Sequence, residues 1–375
     1  MSSALRVCRV VVLLAAVVAA AAPAFAFDFI VTRYDDPVPD GCFVADCSLR
    51  EAVIAANAAG DGDRILLSAG VYAITLAGNG ENFAATGDLD IKNSVEILGV
   101  GAGITILDAT GLGEQPLTAN ANGLVFALRK LTVRNSDVSG LFLQEGIHTV
   151  EDCEIRDNGN STGHHGIMTV IGAVVSLRRV SLVGNSGSGL SSTQSSTTVE
   201  NSTFSGNGTS ELAINTAVAF SCSHCTVSDP ADGDAEVQLQ GNSTIVDFAN
   251  SIVAGNCTIA AGSAVTSLGG NVESTGNTCN FGQGTDLNAQ TSVALGLGGL
   301  AGNGGATRTH LPGAASVAIG NSLDALCLAT DQRGVARTTD CESGSVERTT
   351  LPVATPIFID GFLQGDTEAW SATVP

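Results

Sequence analysis

Four groups of residues in this chain have side chains that do chemistry. His164-His165 lie between Gly163 and Gly166, where paired imidazoles act as general bases or metal ligands. Asp229-Pro-Ala-Asp-Gly-Asp-Ala-Glu236 offers Asp229, Asp232, Asp234 and Glu236 as hard oxygen donors for calcium, without the full spacing of a helix-loop-helix calcium loop. Cys222 and Cys225 form a C-x-x-C, but no second ligand pair for zinc and no thioredoxin-like strand and helix pattern surrounds it, so a structural role is expected. The fourth group is a set of charges carried by a repeated six-residue phrase.

That phrase reads Leu128-Arg-Lys-Leu-Thr-Val133, Val150-Glu-Asp-Cys-Glu-Ile155, Leu177-Arg-Arg-Val-Ser-Leu182, Val199-Glu-Asn-Ser-Thr-Phe204, Cys222-Ser-His-Cys-Thr-Val227 and, more loosely, Asp247-Phe-Ala-Asn-Ser-Ile252. Its second position carries Arg129, Glu151, Arg178 and Glu200; its third carries Lys130, Asp152, Arg179 and Asn201. A polysaccharide lyase needs clustered carboxylates to hold calcium beside a basic residue, and a glycosidase needs two carboxylates facing one bond. Both put like charges on neighbouring coils. Here the signs alternate, which predicts a ladder of inter-coil ion pairs instead.

The elements that position these groups follow from the period. The fourth residues of the six copies fall at 131, 153, 180, 202, 225 and 250, the spacing of a solenoid with one coil per copy. Positions one, four and six are mostly apolar, so they line the core, and the gap from one to four requires a bend. Asn158, Asn185 and Asn207 recur three residues after the sixth position, where they are expected to turn the chain in the left-handed conformation and to stack amide on amide. Short apolar runs at Arg64–Leu67, Val71–Leu76, Leu89–Ile91, Val95–Leu98 and Ile104–Leu107 extend the pattern toward the N-terminus, with no helices between. The fold class is therefore all-β: a right-handed parallel β-helix over 63–299, since parallel crossovers take that hand.

Before it, residues 27–62 hold one amphipathic helix. Ser48 and Glu51 form a capping box, Leu49, Ala52, Val53 and Ala56 share a face, and Gly60 supplies the stop. It is expected to cap the open end of the solenoid. Residues 1–26, with Arg6, Arg9, an apolar run and Ala24-Phe25-Ala26, read as a secretory signal peptide. No later run is long enough to span a membrane, so the mature chain carries no transmembrane segment and is expected to be secreted or displayed at the cell surface.

The formal net charge of −21 becomes more negative still without the leader arginines, which excludes nucleic acid as a partner. Ten cysteines include Cys8 of the leader, leaving an odd number in a compartment where disulfides persist. Cys42 with Cys47, Cys257 with Cys279 and Cys327 with Cys341 are the candidate pairs. Cys153 and Cys225 share a phrase position but stand three coils apart, too far to bridge, so Cys153 is expected to remain a buried thiol.

Cys47-Ser-Leu-Arg-Glu-Ala52 resembles the opening motif of the CSLREA-domain bacterial proteins, exported chains in which it precedes a right-handed parallel β-helix. Residues 300–350, through Arg308-Thr-His-Leu-Pro-Gly313, Ser316-Val-Ala-Ile-Gly320 and Asp331-Gln-Arg-Gly-Val-Ala-Arg337, resemble the choice-of-anchor Q domain that closes such helices, with Ser316-Val317 where that family shows Ser-Pro. Residues 351–375 read as a linker and an aromatic-acidic tail. The expected function is a structural or binding module, adhesin-like, toward an extracellular polysaccharide or cell-surface ligand, without a resident cofactor. The alternative is a polysaccharide lyase or glycoside hydrolase, with His164 and His165 as catalytic candidates and calcium as the one ion to test. Aromatic residues at 4% argue against a conventional sugar groove.

Overall fold

The computed structural model describes residues 27–229, 233–241 and 244–348. The leader, the tail and Asp232 lie outside the described residues. The chain forms a right-handed parallel β-helix of about 8 turns, walled by three parallel sheets. One coil shows the plan: Leu141–Gln144 in the third sheet, Ile147–Glu151 in the first and Glu154–Arg156 in the second. The next coil stacks on it in register, Leu141 on Ile167, Val150 on Leu177 and Ile155 on Leu182. Leu141, Leu143, Val150, Cys153 and Ile155 point inward and are wholly buried, which gives the phrase's first, fourth and sixth positions their apolar character.

The bend between positions one and four is made by position three. Lys130, Asp152, Arg179, Asn201 and His224 all have φ between 47° and 56°. The sixth copy pairs Phe248 with Cys222, so it begins one residue later than the Asp247 read from sequence, and its position three is Asn250, with φ 49°. Two inward residues three apart cannot both face the core in an extended strand, and one left-handed residue turns the chain between them. The corner expected at Asn158, Asn185 and Asn207 is thus displaced: these three are buried and absent from the left-handed set. Their stacking does occur. Asn158 Nδ2 donates to Asn185 Oδ1 at 3.0 Å, Asn185 Nδ2 to Asn207 Oδ1 at 2.8 Å, and the backbone N–H of Asn207 to Glu211 Oε1 at 3.1 Å. The ladder satisfies buried amides that a bare loop would strand.

The charge ladder is present on the first sheet. Arg129 pairs with Glu96 at 3.0 Å and with Glu151, Arg178 with Glu200 at 3.1 Å, and Arg179 reaches both Glu151 and Asp152 at 2.7 Å. Arg178 lies in register between Glu151 and Glu200, so Arg178→Glu would stack three carboxylates. Half-exposed pairs contribute up to about 1 kcal/mol. The variant is expected to lower Tm by about 2 °C. Arg179→Ala, which breaks two tighter contacts, is expected to lower it further. Thermal melts of the two variants at low and high salt check both; salt should shrink the difference for Arg178 more than for Arg179.

At the N-terminal end the helix Leu49–Ala58 buries Leu49, Ala52, Val53 and Ala56 against the first coils, with the capping box closed in both directions. It stops at Ala59 in extended conformation rather than at a left-handed glycine. At the other end the segment from Asn303 to Glu347 does not lie across the last coil. It returns along the outside of the second sheet. Arg308 pairs with Glu154 at 2.9 Å, Ser181 Oγ donates to Arg308 O at 2.7 Å, Thr203 Oγ1 to Gln332 Oε1 at 2.6 Å, and Ser343 Oγ to Gly270 O at 2.6 Å. The segment resembling the closing domain is therefore a lateral strap. The outward Glu154, Ser181, Thr203 and Thr226 of that sheet are polar because the strap bonds to them.

Cys42–Cys47, Cys257–Cys279 and Cys327–Cys341 are disulfide-bonded, as is Cys222–Cys225. Cys153 is a buried thiol, its pKa pushed up to about 12 by burial.

Candidate functional site

With the first sheet given to ion pairs and the second covered by the strap, the third sheet is where an outward face carries unassigned polar groups. Its first described strand is Leu89–Ile91. Leu89 and Ile91 are wholly buried, so strand alternation sends Asp88, Asp90 and Lys92 to the opposite face. Asp90 lies in register with Thr118 on the next coil. Glu114 comes up beside them, its Oε2 accepting the backbone N–H of Asp88 at 3.2 Å. Three carboxylates of adjacent coils thus meet at one end of the sheet. Lys92 Nζ stands at the edge, 3.3 Å from Asp90 Oδ1 and 2.8 Å from Asn120 Oδ1.

The environments of these carboxylates differ. Burial, reinforced by the neighbouring Asp90 and Glu114, pushes Asp88 up to about 6, although the Thr118 hydroxyl bonds to it. Asp90 has an ammonium partner and accepts the Ala84 N–H at 3.3 Å. A carboxylic acid that keeps its proton to about pH 6 beside a cation-paired carboxylate is the division of labour that acid catalysis requires.

The face continues away from the cluster in two lanes. In one, Asp90 and Thr118 are followed in register by Phe142, Met168, Ser191, Ala213 and Gln238. In the other, Gln144 stacks on Val170, and Thr193, Asn215 and Gln240 line up further along. Phe142 is half-buried on the outside, and Phe83, in the loop whose Ala84 holds Asp90, is 77% exposed. The lanes present amides, hydroxyls and the Phe142 ring at about 4.8 Å intervals along the helix axis, and Phe83 stands in the loop at their Asp90 end.

The residues singled out from sequence lie elsewhere. His165 Nδ1 accepts the Ser188 N–H at 3.0 Å, and burial lowers its pKa; His164 is half-buried and its Nδ1 lacks a hydrogen-bond partner. The pair is not brought to the carboxylates of the third sheet by any hydrogen bond or ion pair among the described residues. Asp229, Asp234 and Glu236 do come together, around a small recess that also takes in Asn207, Ser210 and Glu211. Glu211 had not been expected there. It ends the asparagine ladder and is almost wholly buried, and burial raises its pKa well above the usual carboxylate range, with Asp229 and Glu236 adding to the rise. Cys222 and Cys225 face the core as a disulfide, which leaves no free thiol pair there for zinc.

The apolar pattern marks Leu89-Asp-Ile91 as a core strand and leaves Asp88 and Glu114 unmarked. The signal was available one residue to either side: Asp88-Leu-Asp-Ile-Lys92 alternates charged and apolar residues perfectly, so three charges share a face.

No family model and no curated protein sequence matches the chain. Among solved structures it is similar to pectate lyase Pel9A, with 13% identity, covering 87% of this chain and 97% of that one at a TM-score of 0.51. The ORF18 protein of Geobacillus virus E2 covers 69% of this chain and 59% of its own, at 15% identity and a TM-score of 0.38. The A-module of the Azotobacter vinelandii mannuronan C-5 epimerase AlgE6 covers 64% and 90%, at 17% identity and 0.27. At such identities the likeness to the pectate lyase is one of fold: a parallel β-helix of similar extent.

Proposed function

We propose that this chain acts on an extracellular polysaccharide laid along the third sheet, and that it cleaves a glycosidic bond at the Asp88, Asp90 and Glu114 cluster. The observation that carries the reading is Asp88, a largely buried acid pushed up to about 6 at the end of the third sheet, beside the buried Asp90 and the half-exposed Glu114. Asp88 serves as the general acid toward the leaving oxygen, and an ionised neighbour activates water or stabilises the sugar cation. Gln144, Thr193, Asn215 and Gln240 offer the donors and acceptors that sugar hydroxyls need. The pectate lyase with this fold acts, by its name, on a polysaccharide, which supports the substrate class. Lys92 at the edge of the cluster keeps elimination, with the lysine as base, as the second chemistry. The acidic recess at Glu211, Asp229, Asp234 and Glu236 lies five to six coils further along the sheet and is a separate calcium candidate. An adhesin-like role without chemistry draws no support from the cluster.

The test is incubation of the mature protein with neutral and acidic polysaccharides, with and without calcium, scoring new reducing ends and new unsaturated ends. Reducing ends without unsaturation are expected. Unsaturated ends would transfer the chemistry to elimination, and no new ends on any substrate would overturn cleavage. Phe142→Ala is expected to weaken retention on the cleaved polysaccharide about tenfold, the loss of roughly 1.4 kcal/mol of aromatic contact. Affinity electrophoresis in gels containing the substrate measures it; unaltered mobility would remove Phe142 from the binding lane.

A further inference from the structure

On the opposite flank, where the strap crosses the second sheet, three metal-binding side chains converge without any part in the site above. His224 occupies the left-handed corner of its coil and is wholly buried beneath the strap. Its Nε2 lies 4.0 Å from Cys341 Sγ, and Cys327 is joined to Cys341. The three ligand atoms all fall within 4.8 Å of one another. His224 Nδ1 is a buried polar atom without a hydrogen-bond partner, and Nε2 is approached by the Asn250 amide nitrogen at 3.2 Å, so Nε2 carries the lone pair. That asparagine also accepts the Leu323 N–H at 2.7 Å, fixing the turn Asp324–Leu326 that leads into Cys327. Cys341 is wholly buried, whereas Cys327 is half-exposed and borders an open cavity of about 310 Å³ lined also by Asp324, Arg337 and Thr338.

We propose that His224, Cys327 and Cys341 form a binding site for a soft, low-coordinate metal ion, monovalent copper, which becomes available when the Cys327–Cys341 disulfide is reduced. The cavity brings a thiol reductant to Cys327. A dithiol attacks that sulfur, the S–S bond breaks with Cys341 leaving as thiolate, and the dithiol closes to its own disulfide while two protons pass to the two cysteines. Copper(I) then displaces those protons and takes two thiolates and the His224 imidazole. Thiolate and imidazole donors select a soft ion, and a buried three-ligand set suits copper(I) better than zinc, which demands a fourth. Arg337 lies where it offsets the negative charge of a copper bis-thiolate. In the oxidised chain the same three residues bind no metal.

The experiment uses the full mature chain, reduced with a phosphine under anaerobic conditions and titrated with copper(I) against a chromophoric chelator. In a C222S/C225S background, which removes the closely spaced C-x-x-C thiol pair that reduction also frees, C327S/C341S is expected to retain one equivalent fewer than its parent. His224→Ala is expected to weaken that one equivalent at least tenfold, with circular dichroism confirming that the β-helix persists. X-ray absorption on a C42S/C47S/C222S/C225S/C257S/C279S chain, or on the C222S/C225S chain should the former fail to fold, is expected to show nitrogen together with sulfur around copper. Equal stoichiometry in C222S/C225S with and without C327S/C341S would overturn the site, as would sulfur-only coordination unaffected by His224→Ala.

Discussion

Asp88→Asn is expected to abolish polysaccharide cleavage while leaving the protein folded and, at neutral pH, more stable. The asparagine keeps an oxygen to accept the Thr118 hydroxyl but has no proton to give. Losing a general acid costs about 100-fold or more in kcat/KM. The pH dependence supplies a second readout. Asp88 is pushed up to about 6 by burial and by Asp90 and Glu114, so the active, protonated form is present below about pH 6 and activity falls as pH rises through that value. Stability follows the same sign: a raised folded-state pKa gives stabilisation that is complete below the ordinary carboxylate range of about 4 and is lost as pH climbs through about 6. The variant, which cannot ionise there, should show a flatter dependence of Tm over that window. Kinetics of both proteins across this range, with matched thermal melts, separate catalysis from folding. A variant that cleaves at the wild-type rate would remove Asp88 from the chemistry, whatever its effect on Tm.

How far the sequence carried is clearest at particular residues. The stacked coils and the helical cap were legible because period and apolar columns are set by the core, and the core reads one face of the chain at a time. Arg178 and Glu200 could be paired across coils for the same reason. Asn158, Asn185 and Asn207 were assigned to corners because asparagine tolerates the left-handed region, but the corners fall at position three, where Asp152, Arg179 and His224 stand as readily as Asn201. Once side-chain bonds such as Arg179 to Asp152 offset the backbone cost, residue type stops marking the turn. The strap was the largest loss. Nothing in residues 300–350 tells that Gln332 meets Thr203, 129 positions earlier, since a lateral contact of single polar residues has no period. The same holds for Glu114 beside Asp88 and for His224 beside Cys341: each partner is supplied by tertiary stacking.

Arg50→Ala is expected to be the most destabilising single change, and to damage the Asp88 cluster besides. Arg50 is the arginine of Cys47-Ser-Leu-Arg-Glu-Ala52, and its side chain is wholly buried. It binds Asp36 through two parallel bonds, Nε to Oδ1 at 2.7 Å and Nη2 to Oδ2 at 2.9 Å, and donates to the carbonyls of Ala84 at 3.0 Å and Gly87 at 2.8 Å. Asp36 is equally buried and also accepts the N–H groups of Thr75 and Leu76 at 2.8 Å. Removing the guanidinium leaves a buried carboxylate and two carbonyls without their donor, a loss of about 3–5 kcal/mol. That corresponds to a fall in Tm of roughly 10 °C. Because the Gly87 carbonyl immediately precedes Asp88, and Ala84 bonds Asp90, the same arginine fixes the backbone on which both carboxylates stand. Arg50→Lys keeps the charge but not the fork, and cannot reach Asp36 and both carbonyls together. It is expected to recover part of the stability while kcat/KM stays depressed and the pH midpoint near 6 shifts, since Asp88 no longer sits in a fixed environment. A lysine variant with wild-type kinetics and an unshifted midpoint would confine Arg50 to holding the cap, and would separate the helix from the chemistry of the third sheet.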